Sequence, residues 1–224
     1  MTETEVKPLE TMIAQNTKGK LFTLEGGEGA GKTSAVHEIG ERLQSEGYKV
    51  LITREPGGLT TGEAIRSVLL SDEGMNLETL SQVLLFSAAR LEHLEKKVLP
   101  ALAEGYIVLM DRYYDSTYVY QGIVGGYDLQ TIKNLTNLII GTAVPDKTFV
   151  LDIDVSHAQR RLAKRMGDTT WFDNQPVAYH ERVRNGFLYL AALPENQERM
   201  DVINASSSLE VVVEDIYTRI KQSI

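Results

Sequence analysis

The 224-residue sequence contains no cysteine. Disulfides and thiolate metal sites are therefore excluded, and the composition suits a reducing cytoplasm. It also has no run of about eighteen apolar residues, so no membrane-spanning segment is expected. Met1 to Thr17 lack the apolar stretch of a signal peptide and read as a mobile tail or a short added helix. Basic charge is in short supply, with 23 Lys and Arg against 31 Asp and Glu for a net charge of −8. A nucleic-acid surface needs a basic field, so none is expected, and any phosphate site must gather its cations locally. Histidine is scarce too: His37, His93, His157 and His180 share no metal-ligand spacing and read as solvated helix residues. Only one tryptophan, Trp171, is present.

Against these absences stands one dense motif, Gly26-Gly27-Glu28-Gly29-Ala30-Gly31-Lys32-Thr33. It fits G-x-x-x-x-G-K-[ST] and lies between the apolar Leu21-Phe22-Thr23-Leu24 and a helical pattern. Glycines let the backbone close into a nest of inward N–H groups, and the helix that follows adds its positive end. Lys32 would reach the β- and γ-phosphates of a nucleoside triphosphate, and the Thr33 hydroxyl would ligate Mg²⁺.

Short apolar runs alternate with longer helical patterns, which predicts an α/β fold with a parallel sheet covered by helices. Strands are expected at Lys20–Gly26, Tyr48–Thr53, Tyr106–Asp111, Lys147–Ile153 and Met200–Asn204. Helices are expected at Lys32–Gly47, Leu59–Leu70, Leu77–Ala103 interrupted or bent at Pro100, Leu129–Ile140, Ser156–Arg165, Pro176–Leu193 and Leu209–Lys221. No repeat, linker or low-complexity tract divides the chain, so residues 19–224 read as one domain behind a tail at 1–18.

Ligands of such sheets lie beyond the carboxyl ends of the strands. Glu25, Arg54, Asp111 and Arg112 all fall there. Arg54, in Thr53-Arg54-Glu55-Pro56-Gly57-Gly58, is either a solvated loop residue or a phosphate ligand. Asp111 suits Mg²⁺ held through water, and Arg112 can fork onto a phosphate; the plainer alternative is a structural ion pair. Phe86 and Arg90 are one helical turn apart, so they share a face that could meet a base and its polar edge. Val83 to Phe86 is continuously apolar, and a phenylalanine in such a run more often belongs to the core. A helix apolar all round needs cover on more than one side, which a subunit interface from Leu80 to Leu94 would supply.

These residues together resemble the thymidylate kinases, which move the γ-phosphoryl of ATP onto dTMP. The resemblance rests on residues 26–33, on Thr-Arg-Glu-Pro-Gly-Gly at 53–58 and on Leu85-Phe86-Ser87-Ala88-Ala89-Arg90. It continues in Asp111-Arg112-Tyr113, Ser116-Thr117 and Tyr120-Gln121-Gly122, and spans about residues 20 to 222. It implies a P-loop kinase core of five parallel strands flanked by helices on both faces, a short mobile lid at about 161–176, and a homodimer. It also implies a cytoplasmic enzyme of dTTP synthesis that uses Mg²⁺ with ATP. Glu28 would accept a hydrogen bond from the sugar 3′-hydroxyl. Arg54, Arg66 and Arg112 would surround the monophosphate, and Ser116 would line the same pocket. Phe86 would stack on thymine with Arg90 and Gln121 at its polar edge, and Tyr120 would fill the space of a ribose 2′-hydroxyl.

The resemblance weakens in the lid. Bacterial members carry Asp-Arg-hydrophobic-Glu there, whereas this chain has Thr170-Trp171-Phe172-Asp173, and its P-loop holds no arginine. Phosphoryl transfer needs positive charge beside Lys32 and Arg112. Arg160, Arg161, Lys164 and Arg165 follow at helical spacing, a pattern that usually marks a solvated face. Arg165, nearest Gly167, and Arg161, four residues before it, are the expected transition-state cations. Trp171 would cover the site or stack near the nucleotide. Other functions compatible with the P-loop are a deoxynucleoside kinase, which needs no arginines for an acceptor phosphate, a nucleotide-dependent switch, and a binding module without chemistry.

Overall fold

Five apolar runs become five strands: β1 (Lys20–Glu25), β2 (Val50–Arg54), β3 (Ile107–Asp111), β4 (Lys147–Asp152) and β5 (Met200–Asn204). They are seen in a computed structural model that describes residues 19–164 and 170–224. The expected tail at 1–18 lies outside the described residues, as does Arg165 in the lid. The strands form one parallel sheet in the order β2-β3-β1-β4-β5.

Helices cover both faces of a parallel sheet, so its central strands are buried along most of their length instead of at alternate positions, and the polar Thr23 and Thr148 inside them bond each other at 2.7 Å. Leu21, Val108 and Val150 enter one core, and their chain neighbours Phe22, Leu109 and Leu151 enter the other. The second core is closed by α1 (Lys32–Ser45) through Val36, Ile39 and Leu43. Further along the chain come α2 (Thr60–Leu69), α3 (Asp72–Met75), α4 (Thr79–His93), α5 (Leu99–Ala103), α6 (Tyr114–Thr117), α7 (Leu129–Ile140), α8 (Val155–Lys164), α9 (Val177–Ala192) and α10 (Leu209–Lys221). Helix α10 joins α1 on its core through Val212, Ile216 and Ile220, while α4, α7 and α9 cover the opposite face through Val83, Ile132 and Phe187. The bounds expected for α7, α10 and β5 coincide with those observed. Helix α7 starts where the Asp128 carboxylate accepts a 2.8 Å bond from the Thr131 N–H, and it ends at Gly141 with φ 53°; both are helix-end signals local to the chain.

Two helical expectations are corrected. Leu77–Ala103 is not interrupted or bent at Pro100 itself: the change comes upstream, where α4 passes through a wider π-helical turn, Leu94–Val98, before α5 begins. A proline ring clashes with the carbonyl four residues earlier, here Lys96, so the widened turn takes the strain upstream of the proline. The second correction is a helical segment that was not expected, α6 running into a π-helical stretch at Tyr118–Val124. Its tyrosines and valines are poor helix formers. Burial of Tyr113, Tyr114, Tyr118, Val119 and Tyr120 in the first core overrides that propensity.

Candidate active site

The P-loop turns at Gly26 (φ 137°), Gly29 (φ 75°) and Gly31 (φ 95°). A side chain at Gly26 would place its Cβ 2.7 Å from the Leu151 carbonyl oxygen, and one at Gly29 would come 2.6 Å from that of Ala158. Glycine is thus required both for conformation and for space. The Lys32 ammonium folds over the loop and donates to the carbonyls of Gly26 (3.0 Å) and Gly27 (2.7 Å). Burial, reinforced by the nearby Arg112, brings its pKa down to about 8 against the opposing pull of Asp111, Glu28 and Glu25. The Thr33 hydroxyl donates to Asp111 Oδ2 at 2.5 Å, across from α1 to the end of β3.

Arg112 leaves β3 in a left-handed conformation, φ 67°, rare for a residue with a side chain. The buried Glu25 carboxylate holds the turn that follows, accepting from the N–H groups of Tyr113 (2.7 Å) and Ser116 (3.2 Å) and from the Ser116 hydroxyl (2.6 Å). Burial, then the nearby Asp115, pushes the Glu25 pKa up to about 7. So held, Arg112 donates to the Gly26 carbonyl (2.9 Å), to Ser116 Oγ (3.2 Å) and to Glu28 Oε1 (3.1 Å). Arg54 ends β2 opposite Asp111 and pairs with Glu63 at 3.0 Å. Arg66, from α2, donates to the Pro56 carbonyl at 2.9 Å. Burial and then the adjacent Arg54 lower the Arg66 pKa. These guanidiniums repel one another, and an anion among them would relieve the crowding.

One cleft of about 1040 Å³, counted to its open mouth, gathers Lys32, Thr33, Arg54, Arg66, Asp111, Arg112 and Ser116 together with Glu28, Phe86, Arg90, Tyr120 and Gln121. Phe86 is half-buried on its wall and belongs to neither core. Arg90 is buried; its Nε donates to Glu55 Oε2 (2.8 Å) and one terminal nitrogen to Thr117 Oγ1 (3.1 Å). Its other terminal nitrogen is buried without a hydrogen-bond partner among the described residues. The Gln121 amide donates to Gln82 Oε1 at 3.3 Å. Glu28 Oε1 accepts from Arg112 and, at 2.5 Å, from the Tyr120 hydroxyl, while Oε2 has no hydrogen-bond partner among the described residues. Burial works against the charge on Glu28, but His180, Arg112, Lys32 and Tyr120 outweigh it and hold the pKa down at about 2. Two unsatisfied groups on one cleft, a donor on Arg90 and an acceptor on Glu28, mark where a ligand would bond.

The reading of the four histidines as solvated is half corrected. His37 and His157 are exposed, but His93 and His180 are buried. The His93 ring is satisfied by Thr53 Oγ1 (2.7 Å) and Glu55 Oε1 (3.3 Å), and His180 Nδ1 lies 3.7 Å from Glu28 Oε2. Glu55 itself was missed as a site residue. The signal for it is a carboxylate beside Arg54 in the quoted motif, but its partner Arg90 lies 35 positions away. Among the described residues no group of three or more His, Asp or Glu is arranged to hold a metal ion, and no helix is long and apolar enough to cross a membrane.

Arg161 sits on the other flank of the P-loop. It donates to the carbonyls of Ala205 (3.0 Å) and Ser207 (3.1 Å) and lines a second cavity with Ala30, Gly31, Ser34, Leu209 and Val212. Of the described residues in the segment expected as a lid, Thr170, Phe172 and Asp173 line the main cleft, while Trp171 stands behind Phe172.

A parallel five-stranded sheet with a P-loop after its central strand, and a cationic cleft beside that loop, defines a P-loop kinase. The Thymidylate kinase family model matches residues 24–216. The thymidylate kinase of Shouchella clausii (strain KSM-K16) is 39% identical over 209 residues, 92% of this chain and 97% of that one. That of Marinomonas sp. (strain MWYL1) is 40% identical over 199 residues, 89% of this chain and 92% of that one. The crystal structure of thymidylate kinase from Ehrlichia chaffeensis superposes with a TM-score of 0.72 at 33% identity, covering 91% of this chain and 98% of that one. The chain belongs to the thymidylate kinase family.

Proposed function

We infer that the protein transfers the γ-phosphoryl group of ATP to dTMP, giving dTDP and ADP. The reading rests on one convergence: Arg54, Arg66 and Arg112 share a cleft with Lys32 and Thr33. The phosphate end of a donor and an acceptor phosphate can therefore meet in one space, which is most of what phosphoryl transfer requires. A deoxynucleoside acceptor would leave those guanidiniums crowded, and a nucleotide switch has no use for the base end of the cleft. The names of the relatives support the same acceptor.

In this reading dTMP enters phosphate first. Arg54, Arg66 and Arg112 receive its phosphate, and Glu28 Oε2 takes the 3′-hydroxyl. Tyr120, buried and bonded to Glu28, occupies the place of a 2′-hydroxyl. The thymine stacks on Phe86, the unpaired Arg90 nitrogen donates to a ring carbonyl, and Gln121, its N–H committed to Gln82, offers its carbonyl to the ring N–H. ATP lies along the P-loop with its base toward the cavity beside Arg161. Lys32 and Arg112 then meet the charge of the moving phosphoryl group. Arg161, committed to the Ala205 and Ser207 carbonyls, suits the base end, which leaves Arg165 as first choice for the additional transition-state cation.

The touching hydroxyl of Thr33 and carboxylate of Asp111 fit Mg²⁺, an ion that takes one or two protein oxygens and fills its octahedron with water and phosphate. When bound, it would neutralise charge on the β- and γ-phosphates. A homodimer is part of the proposal, supported by the exposed leucines Leu80, Leu84 and Leu91 along α4. So is a cytoplasmic location, where both nucleotide substrates are met. The test is ADP release with ATP and Mg²⁺ against a panel of nucleosides and nucleoside monophosphates. Turnover should be fastest with dTMP and follow dTMP over dCMP, whose amino group meets the Arg90 donor; the thymine methyl should add only about 1–3 kcal/mol over dUMP. Equal kcat/KM for dTMP and dCMP, or faster turnover of thymidine, would overturn the assignment.

A further inference from the structure

Glu28 is gripped from both sides by a closed ring of aromatic side chains. Starting from Tyr120, whose hydroxyl meets Glu28 Oε1, the Tyr120 ring stands on Phe172 with centroids 5.3 Å apart at 84°. Phe172 stands on Trp171 (5.3 Å, 88°), Trp171 on Tyr179 (5.8 Å, 90°), and Tyr179 on His180 (5.9 Å, 87°). His180 Nδ1, 3.7 Å from Glu28 Oε2, closes the circuit. Every contact is edge-to-face, the arrangement favoured by the ring quadrupoles. The turn that carries Phe172 and Trp171 is held from within: Asp173 Oδ2 accepts from the Thr170 N–H (2.7 Å) and hydroxyl (2.8 Å), and the Gln175 amide donates to the Trp171 carbonyl (3.1 Å).

The carboxylate needs such a grip. Rotation of a glutamate carboxylate about its last bond is broad, so the bonds of Glu28 do not themselves fix where Oε2 lies. Arg112 and Tyr120 on one oxygen and His180 by the other do fix it, and of these Tyr120 and His180 are braced by rings that meet at Trp171. We propose that Trp171 is a positioning residue for recognition of the acceptor sugar. Acting through Phe172 and Tyr179, it holds Tyr120 and His180 against the two oxygens of Glu28 and so sets the preference for deoxyribose. This rests on the reading of the cleft as the dTMP site. It assigns the tryptophan to packing, while charge for transfer comes from elsewhere.

Trp171 is the only tryptophan of the chain, so its emission reports on this position alone. Titration of the intact protein with dTMP, without ATP, should change that emission saturably. The ribose counterpart of dTMP should change it only at much higher concentration. Trp171→Ala should raise the KM for dTMP on the order of tenfold and lower the dTMP-to-ribonucleotide ratio of kcat/KM, with the KM for ATP unchanged. Trp171→Phe, which keeps an aromatic edge, should restore most of the ratio. A purely structural role would move the melting temperature and leave the ratio alone. Emission that ignores dTMP while turnover proceeds, or an unaltered ratio in Trp171→Ala, overturns the proposal and leaves dTMP kinase activity standing. If the wild-type protein turns over no dTMP, the functional reading falls and this one with it.

Discussion

Arg90 Nε donates to Glu55 Oε2 at 2.8 Å, with the two side chains only 2% and 4% exposed. The other oxygen of Glu55 is taken by His93, whose far nitrogen meets Thr53, so β2 and α4 are tied by a buried polar chain that ends on Arg90, the arginine proposed to meet the base. A buried ion pair gives little net stability, yet breaking it strands a charge. Glu55→Ala should therefore cost about 3–5 kcal/mol in urea denaturation. The double variant Glu55→Leu/Arg90→Met should recover much of that stability while failing to discriminate dTMP from dCMP. Full stability in Glu55→Ala would show that Arg90 does not depend on this partner.

Lys32→Ala should fold normally but lose transfer activity on the order of a hundredfold or more, because the migrating phosphoryl loses its main protein cation. The Gly26 carbonyl keeps its 2.9 Å bond from Arg112 and the Gly27 carbonyl is only part-buried, so circular dichroism should be unchanged. Near-normal turnover would remove the P-loop from the mechanism.

Glu28 titrates at about 2 in the folded protein, below its ordinary value of 4.5. A depressed carboxylate stabilises the fold fully above its unfolded pKa, and that stability is lost as pH falls toward the folded value. The window is therefore about pH 4.5 down to 2, and the contribution is on the order of 3 kcal/mol. Wild type and Glu28→Gln, compared by chemical denaturation across that range, should converge as the solution is acidified. A difference that stays constant with pH would refute the shift.

Arg161→Ala should raise the KM for ATP with a small effect on kcat, given its place beside Gly31 and its bonds to the Ala205 and Ser207 carbonyls. Arg165→Ala should lower kcat by tenfold to a thousandfold, the order expected of a transition-state cation. Steady-state kinetics of the two variants decide the roles. Normal kcat in both would mean that another residue supplies the charge.

The proposed dimer predicts light scattering near twice 25.0 kDa at micromolar concentration. Leu84 is 51% exposed in the middle of the apolar stripe on α4. Leu84→Glu should therefore give a monomer, since a charge there would be buried without a partner. A wild-type monomer would leave this face of α4 simply exposed.

Local features of the chain were legible by themselves. Apolar runs and helical periods placed all five strands and most helices, because burial on a sheet face or a helix stripe repeats within a few residues. The P-loop was readable for the same reason: its glycines, Lys32 and Thr33 are contiguous, and their backbone geometry needs no distant partner. Strand ends located Arg54, Asp111 and Arg112 as well. The tertiary structure decided which side chains meet. Glu55 and Arg90 are 35 positions apart, and Glu28 and Tyr120 are 92 apart. Sheet order and helix packing brought each pair together, and nothing in either local sequence encodes the meeting. Phe86 lies on the cleft wall, His93 and His180 are buried, and the aromatic ring around Glu28 closed for that reason: each outcome depends on which face of an element the rest of the fold covers.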